Sequence, residues 1–256
     1  MQQETCNHEW LKQLDLLIQH LEEAYKTISE RLVALLHHRK ISYDLLPFLF
    51  KPNERVYMTC PATGLPRCVK YTCGEEKTTT QDVPCFEIEG RCFDFNGEVF
   101  GEATETLQIE SFRGARRIEN LSAYPLEYHP DASIKERLVT NGKKFISMTS
   151  SCYFQYHGNM FVQSMKQLVK VPVTGRIMID ASLFRRINPS HPRLLAKETH
   201  VFDPYTGRFQ SESIARVRSN CIDPNEMAED NLVICSPTVL GFSLSQKLWG
   251  ILHQQR

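Results

Sequence analysis

The sequence predicts an α+β fold: a long N-terminal helix, a mostly antiparallel β-rich body with a central helix, and a C-terminal joint of a strand and a helix. Three observations predict it. Apolar residues recur at three- and four-residue steps over residues 8 to 40. Runs of β-branched and aromatic residues punctuated by glycine fill residues 55 to 113. Apolar runs return between Cys152 and Asp180 and again from Leu232 to Trp249.

The N-terminal element occupies residues 1–41. Trp10, Leu14, Leu17, Leu21, Ile28, Leu32, Leu35 and Leu36 give its apolar spacing. Within that set Leu14, Leu21, Ile28 and Leu35 repeat every seven residues, which suits a short coiled coil with another chain. A helix packed on its own domain is the plainer reading. His37-His38-Arg39-Lys40 suits the negative end of the helix dipole. Ser42 and Asp44 are candidate caps of a short helix in the apolar stretch 41–50, which Pro47 interrupts.

The β-rich domain is expected over 42–187. Strands are read at Val56–Cys60, Cys68–Thr72, Cys85–Glu89 and Thr106–Phe112. Asn96-Gly97 between alternating apolar residues predicts a tight hairpin, because a type I′ turn needs positive φ at both central positions. Asp131 is expected to cap a helix over about 132–148, with Ile134, Leu138, Phe145 and Ile146 inward and Asn141-Gly142 weakening its middle. Strands follow at Cys152–Tyr156 and Leu168–Val173. Thr174-Gly175 predicts a second hairpin into Arg176–Asp180, and a short helix spans Ala181–Ile187. Residues 188–230 hold Pro189, Pro192, Pro204 and Pro224 and little periodicity, the pattern of a variable insertion that is either functional or disordered. Residues 231–256 are expected to complete the domain as a strand, a Pro-Thr turn and an amphipathic helix. Leu232, Val233, Ile234, Val239, Leu240, Phe242, Leu244, Leu248 and Trp249 would then pack on the body.

With 256 residues, 41% of them hydrophobic, the chain can bury a real core. Lys+Arg and Asp+Glu are both 30, so no overall field draws it to nucleic acid or anionic membrane. No apolar run approaches the ~20 residues that cross a bilayer. The first residues lack a signal peptide's basic and apolar regions, so an intracellular protein, cytoplasmic or nuclear, is expected. The nine cysteines are then expected as reduced, mostly core thiols. None stands in Cys-x-x-Cys spacing, and the histidines form no His-Glu-x-x-His pair. No Gly-x-x-x-x-Gly-Lys-[Ser/Thr] loop and no Gly-x-Gly-x-x-Gly turn occurs. The expectation is a chain with no catalytic, cofactor or metal residues of its own; the alternative is an enzyme with an unmarked Cys/His site, since such partners lie far apart along a chain. Arg113, Arg116 and Arg117, with Lys143, Lys144, Phe112, Tyr124 and Tyr128, could make a nucleic-acid face, but the charge balance makes a solvated surface the plainer reading. The candidate partner-binding residues are Arg113, Arg116, Arg117, Leu14, Leu21, Ile28 and Leu35, with self-association through residues 8–40 among the expectations.

Seven ordered blocks carry a family resemblance: Leu46–Cys60, Gly64–Lys70, Phe93–Glu102, Ile109–Ile118, Tyr124–Pro130, Gly175–Asp180 and Leu232–Trp249. Together they resemble the N-terminal domain of fungal AAA+ ATPases, a domain of unknown function. In that family the segment like Cys235-Ser-Pro-Thr-Val-Leu-Gly-Phe leads towards an ATPase module, which this sequence does not contain. The resemblance implies a non-catalytic module that binds a protein substrate or adaptor. It implies ATP and magnesium only where an ATPase module follows, and it transfers no catalytic residue.

Overall fold

The computed structural model describes residues 2–60, 63–79, 82–95, 97, 99–164, 167–189, 199–203, 208–212, 217–218 and 227–253. It is α+β, a long helix followed by mostly antiparallel sheets. Helix α1 runs Gln2–His37, 36 residues and about 54 Å of rise. It ends because Arg39 enters the left-handed region at φ 52 while the His38 and Arg39 amides close on Leu35 and Leu36. Glycine usually takes that position. Here the Arg39 guanidinium donates to the Tyr128 carbonyl at 2.6 Å and lies 5.5 Å above the Tyr128 ring, which ties the helix end to the body.

Strand β1, Lys40–Ser42, leads to a turn of 3-10 helix and to α2, Leu46–Leu49. Pro47 sits in the first turn of α2, where a missing N–H is tolerated. Ser42 and Asp44 cap neither helix through their side chains. Both are drawn to Arg31, which donates to Ser42 Oγ at 3.0 Å and to Asp44 Oδ2 at 2.6 Å. A charge-assisted pair to a guanidinium is stronger than a neutral cap bond.

Strands β2 (Arg55–Thr59), β3 (Pro66–Thr78), β4 (Pro84–Phe95) and β5 (Val99–Glu110) form an antiparallel meander. Strand β6, Ala115–Arg117, pairs apart from this sheet with β1. β7 (Ala123–Pro125) extends the sheet beside β2, and the short β12 (Val217–Arg218) extends it beside β5. Successive strand residues face opposite sides, and both sides are covered. Val69 lies in the core with Ile41, Leu46, Phe50 and Phe86, while its neighbour Cys68 packs with Ile134, Leu138, Val233 and Ile234. The β4–β5 hairpin forms as expected. Phe95 pairs with Phe100, so the connection is longer than a two-residue turn, and Gly97 takes φ 96.

Helix α3, Ile134–Ser147, buries Ile134, Leu138, Phe145 and Ile146 as its spacing predicts. Asp131 holds the entry by accepting from the Ser133 amide and hydroxyl and from Arg137. Gly142 is a packing residue: a Cβ there would stand 2.2 Å from the Leu232 carbonyl oxygen. Strands β8 (Cys152–Ser164) and β9 (Gln167–Ile179) pair along their whole length. The expected turn at Thr174-Gly175 does not form. Gly175 sits at φ 131 inside β9 opposite Tyr156, since thirteen residues pairing continuously with β8 outweigh one turn dipeptide.

Helix α4, Ala181–Ile187, follows with its amide at Leu183 bonded to the Asp180 carboxylate. Within the span expected to be an insertion, β10 (Thr199–Asp203) and β11 (Arg208–Glu212) form a hairpin, and β12 joins the sheet; the remainder, 190–198, 204–207, 213–216 and 219–226, lies outside the described residues. The terminal joint differs from the expectation. Helix α5 comes first, at Glu229–Leu232. A single parallel bridge from Cys235 to Phe93 follows, and then the hairpin of β13 (Thr238–Ser243) and β14 (Leu248–His253). The amphipathic helix expected after the Pro-Thr turn is instead two strands joined by a turn. Lys247 reverses the chain at φ 55, Phe242 faces Trp249 across the hairpin at 5.1 Å, and β14 is needed beside β8. β13 pairs with β9, which closes a four-stranded barrel. Leu232, Val233, Ile234 and Val239 are buried as expected, Leu240, Phe242 and Trp249 are half-buried, and Leu244 and Leu248 are exposed.

Candidate functional site

The strongest surface feature is α1. From Trp10 to Arg31 every side chain is exposed, apolar and polar alike. Leu14 is 50% exposed, Leu21 45% and Ile28 36%; Trp10 reaches 71%. Among the described residues it is the last turns that touch the body, where Leu32, Leu35 and Leu36 lean on the core beside Ile41 and Leu46. Of the four predicted seam residues, therefore, Leu35 is engaged within the chain and Leu14, Leu21 and Ile28 are not. The reading in which the helix packs along its own domain holds for its C-terminal end alone.

The predicted arginines lie at the base of this helix. The β1–β6 ladder sets Arg116 opposite Ile41 and Arg117 opposite Lys40. Arg113, Arg116 and Arg117 are all exposed. Arg116 lies 4.4 Å from the Phe112 ring centre, and Arg117 pairs with Glu119 at 2.8 Å. Lys143 and Lys144 do not join them. They sit on α3, which packs on the sheet face opposite the one covered by the helix base. Tyr124 is turned into the core beside Tyr57. The basic cluster is thus three arginines wide, with one already neutralised.

A cleft of about 760 Å³ opens between the start of β2, the residues before α3, and α5. Several of its charges are paired within the chain. Arg55 pairs with Asp230, Lys135 with Glu229, and Asp131 with Arg137. His129 packs edge-on against Tyr57 at 4.5 Å, and its Nδ1 accepts from the Asp131 amide at 3.0 Å. Burial pushes the Glu54 carboxyl up, against the Lys51 amide that holds it down.

Of the described thiols, Cys73 is exposed and Cys60 and Cys152 are half-buried. Cys68, Cys85, Cys92 and Cys235 are buried. Burial pushes Cys68 up to about 12 and Cys92 up to about 11, and it raises Cys152 and Cys235 as well. A thiol held in this way is a poor nucleophile near neutral pH. Among the described residues no three His, Cys, Asp or Glu side chains gather as a metal-binding group. None of the described helices is long and apolar enough to cross a membrane.

Sequence reasoning missed two anchors. Arg67 is buried and donates to Cys92 Sγ at 3.3 Å while pairing with Glu105 at 3.0 Å. Nothing in Pro66-Arg-Cys68 marks that arginine as inward. Arg39 was visible only as one member of a basic run, although its left-handed backbone makes it the hinge post of α1.

Residues 31–130 match the family model of DUF7025, a domain of unknown function. The matched stretch begins in the last turns of α1 and takes in β1 and the sheet from β2 to β7. Searches of curated proteins and of solved structures gave no match.

Proposed function

We propose that this chain is a non-catalytic binding and regulatory module that recruits a protein substrate or adaptor, and that it acts as the N-terminal module of an AAA+ ATPase-type protein of the fungal kind. The observation that carries the first half is the exposed apolar stripe of α1 standing on a well-packed body. Monomeric proteins rarely leave a contiguous apolar patch beyond a few hundred Å² uncovered. Committed charges in the cleft and raised thiols speak for binding rather than nucleophilic chemistry. The second half rests on the seven ordered sequence blocks, five of which fall inside the stretch matched to DUF7025. ATP and magnesium belong to the ATPase module in this reading, and the setting is intracellular.

The competing reading, a nucleic-acid face at Arg113–Arg117, is supported by Arg116 over Phe112. It is opposed by the pairing of Arg117 with Glu119 and by the balanced charge of the chain. Two measurements test the proposal. Reading the coding sequence past Arg256 should meet an in-frame Gly-x-x-x-x-Gly-Lys-[Ser/Thr]; a transcript without one contradicts the ATPase assignment. A photo-crosslinker at position 25 should trap protein on α1. Crosslinking to nucleic acid through position 116 instead would favour the competing reading.

A further inference from the structure

Aligned on the structure, the repeat in α1 is fuller than one row of leucines. Leu11, Ile18, Tyr25 and Leu32 fill one seam position of four successive heptads, and Leu14, Leu21, Ile28 and Leu35 fill the other. All eight are apolar, and no charged or amide side chain interrupts the seam. Trp10 and Leu17 widen its edge. The body covers the seam at Leu32 and Leu35, leaving residues 10 to 28 as an open apolar strip on a helix that projects from the domain.

Resting on the reading of α1 as the docking element, we propose that its occupant is α1 of a second copy of this chain, the two helices packing over residues 10 to 28. Three observations select that occupant. The first is area. Trp10, Leu11, Leu14, Leu17, Ile18, Leu21, Tyr25 and Ile28 are between 36% and 71% exposed. That leaves roughly 800 Å² per chain, the area each partner contributes to a standard specific interface. The second is the seam itself. A heptad seam filled by apolar side chains at both positions is complementary to a copy of itself, because each side chain inserts between four like it. The third is charge. Lys12 and Lys26 are interspersed with Asp15, Glu22, Glu23 and Glu30, so the flanks do not demand a partner of one sign. They also lack the Lys/Arg-rich polar face of a helix that lies on a membrane.

The test is sedimentation velocity of the full chain with the Ile18→Glu/Leu21→Glu double variant beside it. The wild type is expected at twice the chain mass at micromolar concentration. The variant, which places charges at adjacent seam positions, is expected at the single-chain mass with association weakened by about 100-fold or more. Glu23→Ala, on the polar side of the helix, should leave the dimer intact. Leu14→Ser/Tyr25→Ser repeats the experiment without buried charge should the first variant lose its folded circular dichroism. A wild type that stays monomeric at the highest concentration overturns the proposal, as does a double variant that stays dimeric. A monomer whose position 25 photo-crosslinks a different protein overturns the self-pairing while leaving the docking role of α1 standing.

Discussion

Helices α1 and α3 are both amphipathic, yet only one of them is finished by its own chain. α3 sets Ile134, Leu138, Phe145 and Ile146 against the sheet and barrel, and Gly142 lets the Leu232 backbone approach. α1 presents a longer apolar stripe and covers only its last turns. The same sequence signal thus led to core in one case and to surface in the other. An apolar helical face states that something must cover it, and the rest of the fold decides whether that something is within the chain.

Truncations break the comparison most strongly. Removing residues 232–256 takes away the last residue of α5, the bridge to Phe93 and two of the four barrel strands, and should leave an aggregating or non-cooperative chain. Removing residues 2–29 takes away a stretch of α1 whose side chains from Trp10 on are exposed, and the remainder should melt cooperatively near the temperature of the full chain at concentrations where that chain is a monomer. Thermal circular dichroism of both truncations measures this. A folded C-terminal truncation would show that the joint is a mere linker.

Single substitutions sharpen the same contrast. Leu138→Ala on α3 empties a buried site and should cost about 2–5 kcal/mol in denaturant unfolding. Leu21→Ala on α1, measured at concentrations where the chain is a monomer, should fall within about 0.5 kcal/mol of wild type.

The inward face of α3 was legible because its four large residues obey a local period and its partners lie in the same chain. The meander β2–β5 was legible for a similar reason, being built from neighbours in sequence. The barrel was not. Its closure joins β13 to β9 and β14 to β8 across the span 188–230, and no local pattern encodes such pairings. The run Phe242-Ser-Leu-Ser-Gln-Lys-Leu-Trp249 reads equally as helix or strand over its short length, and Lys247 at positive φ offers no glycine to mark the reversal. Of the candidate site, the row Leu14, Leu21 and Ile28 could be read from sequence, and so could the arginine cluster. That Leu35 would be engaged by the body, and Arg117 by Glu119, depends on tertiary placement.

A smaller effect concerns the barrel end of the body. Burial, aided by the Lys144 charge, holds His253 below its ordinary value of 6.5. The unfolded chain therefore takes up a proton more readily than the folded one. Stability is complete above pH 6.5 and falls as pH drops below it towards the depressed folded value. His253→Gln should flatten that slope in melting temperatures recorded between pH 5 and 7, whereas an unchanged slope would place the titrating group elsewhere.

The most direct test is amide hydrogen exchange of the full chain at a dilute and a concentrated protein level, comparing residues 10–31 with α3. Equal protection of α3 at both levels is predicted, with residues 10–31 exchanging fast when dilute and slowing markedly when concentrated. Protection of residues 10–31 that matches α3 at the lowest concentration would mean that the helix is covered within its own chain. Fast exchange at both levels would mean that no second copy covers it.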